Sequence, residues 1–318
     1  MINAPRFREK LPQLSGDLFL VDGGIETTLI FHEGIDLPHF ATFHLLNDSK
    51  YEGVLDRYYA PYLEIAKRAR SGFIFESLTW RANEVWGNKL GYSKEALAEV
   101  NRRAVELCCL RRSQWSPLQR PVVVSACVGP RGDGYVASDT MSIAEAQAYH
   151  ETQIGVLSET AADSVSAATL NYVEEAIGIA LAAAQCCIPV ILSFTVEIDG
   201  RLPNGETLKS AILRADEATA GYVSYYGINC AHPSHFEHLL CSGEAWTRRI
   251  RAVRGNASRL SHAELDGATV LDEGDPVEFG AAYQSMLGSA AHLNVLGGCC
   301  GTDHRHVGAI AQRCASRS

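Results

Sequence analysis

The chain has no apolar run near the roughly 18 residues that a membrane span needs. Its first residues, Met-Ile-Asn-Ala-Pro-Arg-Phe-Arg, contain no hydrophobic signal core. Together these absences predict a cytoplasmic protein with no membrane partner. An excess of positive charge is also missing. Lys and Arg number 28 against 37 Asp and Glu, a net charge of -9, which argues against a phosphate-neutralising surface and hence against nucleic acid as a partner. No Gly-x-Gly-x-x-Gly or Walker-type loop follows any apolar run, so no dinucleotide or ATP is expected. No linker, low-complexity tract or charge block divides the chain.

What the chain does have is core-forming material and thiols. It has 318 residues, 47% hydrophobic and 20% charged, the balance of a globular protein with ample interior. Eight short β-rich runs alternate with helical stretches: Leu18–Gly24, Phe73–Thr79, Pro121–Gly129, Ser164–Thr169, Pro189–Val196, Tyr222–Cys230, Arg249–Ser258 and Leu293–Cys300. Most are rich in Val, Ile, Leu or Phe without polar alternation, as strands buried on both faces are. Between them, Tyr51–Ser71 carries apolar residues at Val54, Tyr58, Tyr62, Ile65 and Ala69, a helical spacing. Ser93–Trp115 and Ile143–Thr160 have similar periodicity, and Ser142 with Glu145 forms a capping box. Eight strand–helix units predict an α/β fold of one domain, a (β/α)8 TIM-type barrel over residues 15–318 preceded by an extension, residues 1–14. A doubly wound open sheet is the alternative.

Active sites in such barrels lie at the C-terminal ends of the strands, and polar and glycine-rich residues collect there. Strand one ends Val21-Asp22-Gly23-Gly24 and strand two Glu76-Ser77-Leu78-Thr79. Strand three leads to Val128-Gly129-Pro130, and strand five ends Ser193-Phe194-Thr195. Strands six and eight end in Asn229-Cys230 and Gly297-Gly298-Cys299-Cys300-Gly301.

Ten cysteines in a reducing compartment point to metal binding, catalysis or burial rather than disulfides. Adjacent cysteines alone mean little: Cys108 and Cys109 fall inside a helical stretch, and Cys186 and Cys187 precede strand five. Cys127 lines the functional end at most. Cys299 and Cys300 differ because glycines flank them and let the backbone turn sharply. With Cys230 they bring three thiolates to strand ends. Three thiolates can bind zinc and leave its fourth position open, the catalytic arrangement, whereas structural zinc is fully ligated by protein. The open position suits an incoming thiol. Asp22, in Asp-Gly-Gly, is an ordinary turn residue or a carboxylate for a substrate ammonium, with the glycine N–H groups of Gly23 and Gly24 holding a carboxylate. Glu26 and Thr28 are read as caps of the next segment.

These residues match a family pattern. Asp22-Gly23-Gly24, Val128-Gly129-Pro130, Ser193-Phe194-Thr195, Gly200-Arg201-Leu202-Pro203-Asn204-Gly205-Glu206, Asn229-Cys230 and Gly297-Gly298-Cys299-Cys300-Gly301-Thr302 occur in family order over about residues 15–315. The chain thereby resembles the homocysteine S-methyltransferases, including the betaine- and S-methylmethionine-dependent enzymes and the homocysteine module of methionine synthase. The resemblance implies a (β/α)8 barrel, zinc held by Cys230, Cys299 and Cys300, and a substrate loop at Asp22 and Gly24. It also implies a small-molecule thiol acceptor, homocysteine converted to methionine, and a separate methyl donor. Asn229 and Thr79, at strand ends, complete the expected substrate contacts.

One departure stands out. Relatives carry a glutamate at the end of strand four that holds the substrate amino group, and here that position is Ala168. Glu76, at the end of strand two, is the expected replacement. The alternatives to homocysteine methylation are methylation of a different small thiol or selenol, and a non-enzymatic zinc-binding barrel.

Overall fold

Strands buried on both faces need apolar side chains in both directions, and the two directions here fill two separate cores. The computed structural model describes residues 4–115 and 120–315. Its eight strands are β1 Phe19–Leu20, β2 Gly72–Glu76, β3 Val122–Val128, β4 Ser164–Leu170, β5 Val190–Phe194, β6 Tyr225–Asn229, β7 Ile250–Gly255 and β8 Val295–Gly298. They pair in parallel in chain order, and β1 closes on β8 through Phe19 opposite Val295. The fold is a closed parallel (β/α)8 barrel. Phe19, Val21, Ile74, Val123, Ile191, Tyr225, Ala252 and Val295 fill the lumen. Their neighbours, such as Phe73, Phe75, Val122 and Val124, point outward into the layer between sheet and helices. Burying each such aliphatic or aromatic side chain contributes roughly 1.5–3 kcal/mol.

Two of the three expected helices run nearly as read, Lys94–Gln114 and Ile143–Ser158, and the Ser142–Glu145 capping box is present. The third starts at Glu52 and ends at Ala69, where Arg70 adopts a left-handed conformation that stops it. The strands are shorter than the apolar runs. β1 ends at Leu20 because the chain turns away at Asp22-Gly23-Gly24, where Gly24 N–H leaves the ladder and donates to Thr302 C=O at 3.0 Å.

The segment before β1 is tied into the barrel. Leu11 is buried in the lumen core with Phe7 packed beside it. The backbone N–H groups of Arg6 and Phe7 both donate to Asp163 Oδ1, at 2.6 and 2.9 Å. Asp163 stands just before β4, and its other oxygen accepts from Arg112 and from Val124 N–H. This segment therefore closes the N-terminal end of the barrel, opposite the strand ends that carry the candidate site.

Candidate active site

At the C-terminal mouth, the sulfur atoms of Cys230, Cys299 and Cys300 lie within 4.8 Å of one another. Cys230 Sγ and Cys300 Sγ are 3.6 Å apart. Tetrahedral zinc with Zn–S bonds of about 2.3 Å sets its sulfur ligands roughly 3.8 Å apart, so the donor set fits that ion. Among the described residues no fourth His, Cys, Asp or Glu joins the group. Of the three thiols, Cys299 is the one pushed well down, first by hydrogen bonds from Cys230 and Cys300, while Cys230 and Cys300 move up.

The backbone is bent to achieve this. Cys230 has φ 59°, a left-handed conformation that a non-glycine residue adopts at a cost of about 1–3 kcal/mol. Its surroundings hold it there. Cys230 N–H donates to Arg254 C=O, and its own carbonyl accepts from Asn256 Nδ2 at 3.0 Å and Thr195 Oγ1 at 3.3 Å, with His262 Nε2 at 2.9 Å. Asn229 accepts from Thr169 N–H at 2.8 Å, donates to Thr169 Oγ1 at 2.9 Å and reaches Cys299 Sγ at 4.0 Å. It thereby pins Thr169, itself left-handed at φ 64°, in the irregular end of β4. Gly24 packs so tightly that a Cβ there would sit 2.5 Å from Cys299 C=O, and Thr27 Oγ1 accepts from Gly301 N–H. The Gly24–Thr28 loop is thus clasped to the cysteine loop.

Tyr135, from the loop after β3, covers the sulfurs. Its hydroxyl is 3.2 Å from Cys230 Sγ and 3.8 Å from Cys300 Sγ. The ring stacks on His262 with centroids 4.2 Å apart. Burial first, and the nearby cysteines second, raise the Tyr135 pKa well above the phenol range, so it stays a donor.

Beside the cysteines lies a charge cluster centred on Arg254 of β7. Its Nη2 donates to Asp22 Oδ1 at 2.7 Å, its Nη1 is ion-paired with Glu76 Oε2, and its Nε donates to Gly298 C=O at 3.1 Å. The other Asp22 oxygen accepts from Tyr58 OH at 3.1 Å. Burial raises the Asp22 pKa to about 7 against the opposing pull of Arg254, with Glu76 pushing it further up. Arg254 itself is held well above its ordinary value, because the two carboxylates outweigh the effect of burial.

The sequence-predicted residues divide on this geometry. The structure brings Cys230, Cys299, Cys300 and Asn229 together. Asp22 and Glu76 reach the same mouth, but they meet a resident guanidinium that the sequence reading missed. The signal was available: Ala252 faces the lumen, so Arg254 two residues on shares that face, as Glu76 shares the face of Ile74. The expected carboxylate grip of the glycine amides is corrected at Gly24, whose N–H is spent on Thr302 C=O. A Cβ on Gly23 would sit 2.8 Å from Tyr62 OH, so that residue makes room for close packing. Thr79 is fully buried, with its hydroxyl donating to Cys127 C=O and paired with Ser77 Oγ, so it braces the β2–β3 ends. Ala168 is half-buried, and its carbonyl accepts from Trp80 Nε1 at 3.2 Å. Tyr135 was also missed. Glu26, expected to cap the next segment, lies in the short helix after Gly24, with Oε1 accepting from Thr42 Oγ1 at 2.8 Å.

A closed parallel barrel whose C-terminal mouth brings three thiols together belongs to the class of (β/α)8 barrels with a donor set that could hold a metal through sulfur. The homocysteine S-methyltransferase family profile matches residues 19–314, and the chain belongs to that family. It is 26% identical to a selenocysteine Se-methyltransferase of Brassica oleracea var. italica, a match covering 97% of this chain and 92% of that protein. It is 24% identical to homocysteine S-methyltransferase 2 of Arabidopsis thaliana, covering 95% of each. Among solved structures, the metallated form of the Escherichia coli homocysteine methyltransferase MmuM superimposes with a TM-score of 0.70 at 20% identity, covering 95% of this chain and 98% of that one. Its oxidized form gives 0.69 at 21%, covering 93% and 96%. At those identities the likeness establishes the fold. No described helix is long and apolar enough to cross a membrane.

Proposed function

We propose that this methyltransferase is zinc-dependent, and that it moves a methyl group from a small-molecule donor to the thiol of homocysteine, giving methionine. The observation that carries the proposal is the Cys230–Cys299–Cys300 cluster, with no fourth protein ligand among the described residues. Zinc, when bound there, supplies Lewis acidity that presents a coordinated thiol as thiolate at neutral pH. The chain's own residues do the rest. The Tyr135 hydroxyl is within hydrogen-bond distance of two of the cysteine sulfurs, and Asn229 ties the end of β6 to the end of β4. The barrel mouth holds acceptor and donor together, so that the reaction no longer waits on their encounter in solution. The acceptor sulfur forms the new S–CH3 bond as the donor's bond to that methyl breaks, and the thiol proton passes to solvent.

A second reading, methylation of a selenol or another small thiol, is favoured by the likeness to the selenocysteine Se-methyltransferase. A cytoplasmic location accords with cysteines that are all free. The test is metal analysis of purified protein, followed by a screen of S-methylmethionine, S-adenosylmethionine, betaine and methylfolate against homocysteine and selenocysteine, read by mass spectrometry. Methionine formation that requires zinc is the expected result. A zinc-loaded protein that methylates neither acceptor with any donor would overturn the proposal and favour the non-enzymatic barrel.

A further inference from the structure

Both ring nitrogens of His262 are spent on groups of the protein. The residue opens the short helix His262–Asp266, beyond β7, and is 4% exposed. Its Nε2 lies 2.9 Å from Cys230 C=O and 3.1 Å from Thr195 Oγ1. A carbonyl only accepts, so Nε2 is the donor to Cys230. Across the ring, Nδ1 meets Glu197 Oε1 at 3.0 Å. Glu197 is fixed in turn by its backbone, whose N–H donates to Arg201 C=O and whose carbonyl accepts from Gly200 N–H in the tight loop after β5. The imidazole lies flat against the Tyr135 ring, with 8° between the planes. His262 therefore touches the carbonyl of one cysteine and the ring of the residue that covers its sulfur, and it offers no free nitrogen to a reactant.

Cys230 follows β6 in a left-handed conformation, φ 59°, which persists only where the surroundings impose it. That conformation sets the direction of its sulfur, 3.6 Å from Cys300 Sγ. Two short contacts hold its carbonyl, from Asn256 Nδ2 at 3.0 Å and His262 Nε2 at 2.9 Å. They match the oxygen's two lone pairs, with Thr195 Oγ1 farther off at 3.3 Å. We propose that His262, oriented by Glu197, is a positioning residue of the metal site: it holds the Cys230 turn that brings this sulfur to the other two, and it acts on the metal only through that ligand. This role rests on the proposed zinc binding by Cys230, Cys299 and Cys300.

The test reads metal binding without turnover. Zinc affinity is measured by competition with a chromophoric chelator, and the ligand-field spectrum of cobalt(II)-substituted protein reports the geometry of the site. His262→Phe keeps a ring for Tyr135 to stack on and cannot donate to Cys230. It is expected to lose roughly 10- to 100-fold in zinc affinity, the usual weight of a group that orients a metal ligand, and to alter the cobalt spectrum. His262→Gln, whose amide nitrogen can take the place of Nε2, should keep most of the affinity. Glu197→Ala should show a smaller loss, and Glu197→Ala/His262→Phe no greater loss than His262→Phe alone, because Glu197 acts only through the ring. Unchanged affinity and spectrum in His262→Phe, or equal losses in His262→Phe and His262→Gln, would overturn the role of the hydrogen bond. Additive losses in the double variant would overturn the role of Glu197. If His262→Phe does not fold, Glu197→Ala carries the test, and wild-type affinity and spectrum there overturn the inference. Wild type that binds neither zinc nor cobalt takes down the parent proposal instead.

Discussion

Arg254 Nη2 lies 2.7 Å from Asp22 Oδ1, joining the end of β7 to the loop after β1 across the mouth of the closed sheet. The same guanidinium pairs with Glu76, so one side chain ties three strand ends into a single unit. Its side chain is only 18% exposed, and removing one partner of such a buried group strands the others. Arg254→Met is therefore expected to cost about 3–5 kcal/mol, read as a lowered urea midpoint. In the double variant Arg254→Met/Glu76→Gln, part of that loss should return. Additive losses would mean that Arg254 and Glu76 are not energetically coupled.

Metal binding should follow the cysteines at the mouth and no others. Wild type is expected to hold one zinc per chain, and Cys299→Ala/Cys300→Ala to hold none while still unfolding cooperatively. Cys186 and Cys187 lie at the far end of the barrel, so Ala at those positions should leave zinc content and turnover intact. Plasma emission spectroscopy on dialysed protein gives the stoichiometry, and full zinc occupancy in the double variant would remove the proposed site.

Tyr135 offers a finer test. Its hydroxyl is 3.2 Å from Cys230 Sγ and its ring is fixed by stacking on His262. Groups that hydrogen-bond to metal ligands typically change metal affinity or activity by about 10- to 100-fold when removed. Tyr135→Phe keeps the stacking and deletes only the donor. A loss of zinc affinity in that range, measured by competition with a chromophoric chelator, is expected. Unchanged affinity and turnover would reduce Tyr135 to a packing role.

What the sequence made legible, and what it hid, follows from the range of the interactions. Strands such as Val122–Val128 announce themselves because burial on both faces demands an unbroken apolar run. Cys299 and Cys300 stand out because flanking glycines mark a sharp turn at a strand end. Arg254 was legible only as a residue on the same face as Ala252, and its partners Asp22 and Glu76 depend on closure of the barrel. Tyr135 sits on a loop whose path is decided by contacts far away in sequence, 95 residues away in the case of Cys230. The lumen plug by Leu11 has the same origin: Phe7, Leu11 and Leu14 recur at an apolar spacing, but nothing local says that this segment docks in the barrel.

The buried Asp22 should leave a mark on the pH dependence of stability. In the folded protein its carboxyl keeps its proton up to pH about 7, mainly because burial disfavours the charge, whereas in the unfolded chain it loses the proton at the ordinary value of 3.8. Between those values the folded state binds more protons than the unfolded one, so stability falls as pH rises. The contribution is fully present below pH about 4 and is lost by pH about 7, at roughly 1.4 kcal/mol for each pH unit crossed. Asp22→Asn has no such proton to lose. The difference in unfolding free energy between wild type and Asp22→Asn should therefore move against wild type as pH rises from about 5 to about 8. The measurement belongs in metal-free protein held with a chelator, so that metal binding to the thiols does not add its own pH dependence. Any fixed penalty for leaving Arg254 with one partner shifts the whole difference curve without changing its slope. A difference that stays flat across this range would mean that Asp22 is ionised in the folded state throughout, with Arg254 outweighing burial.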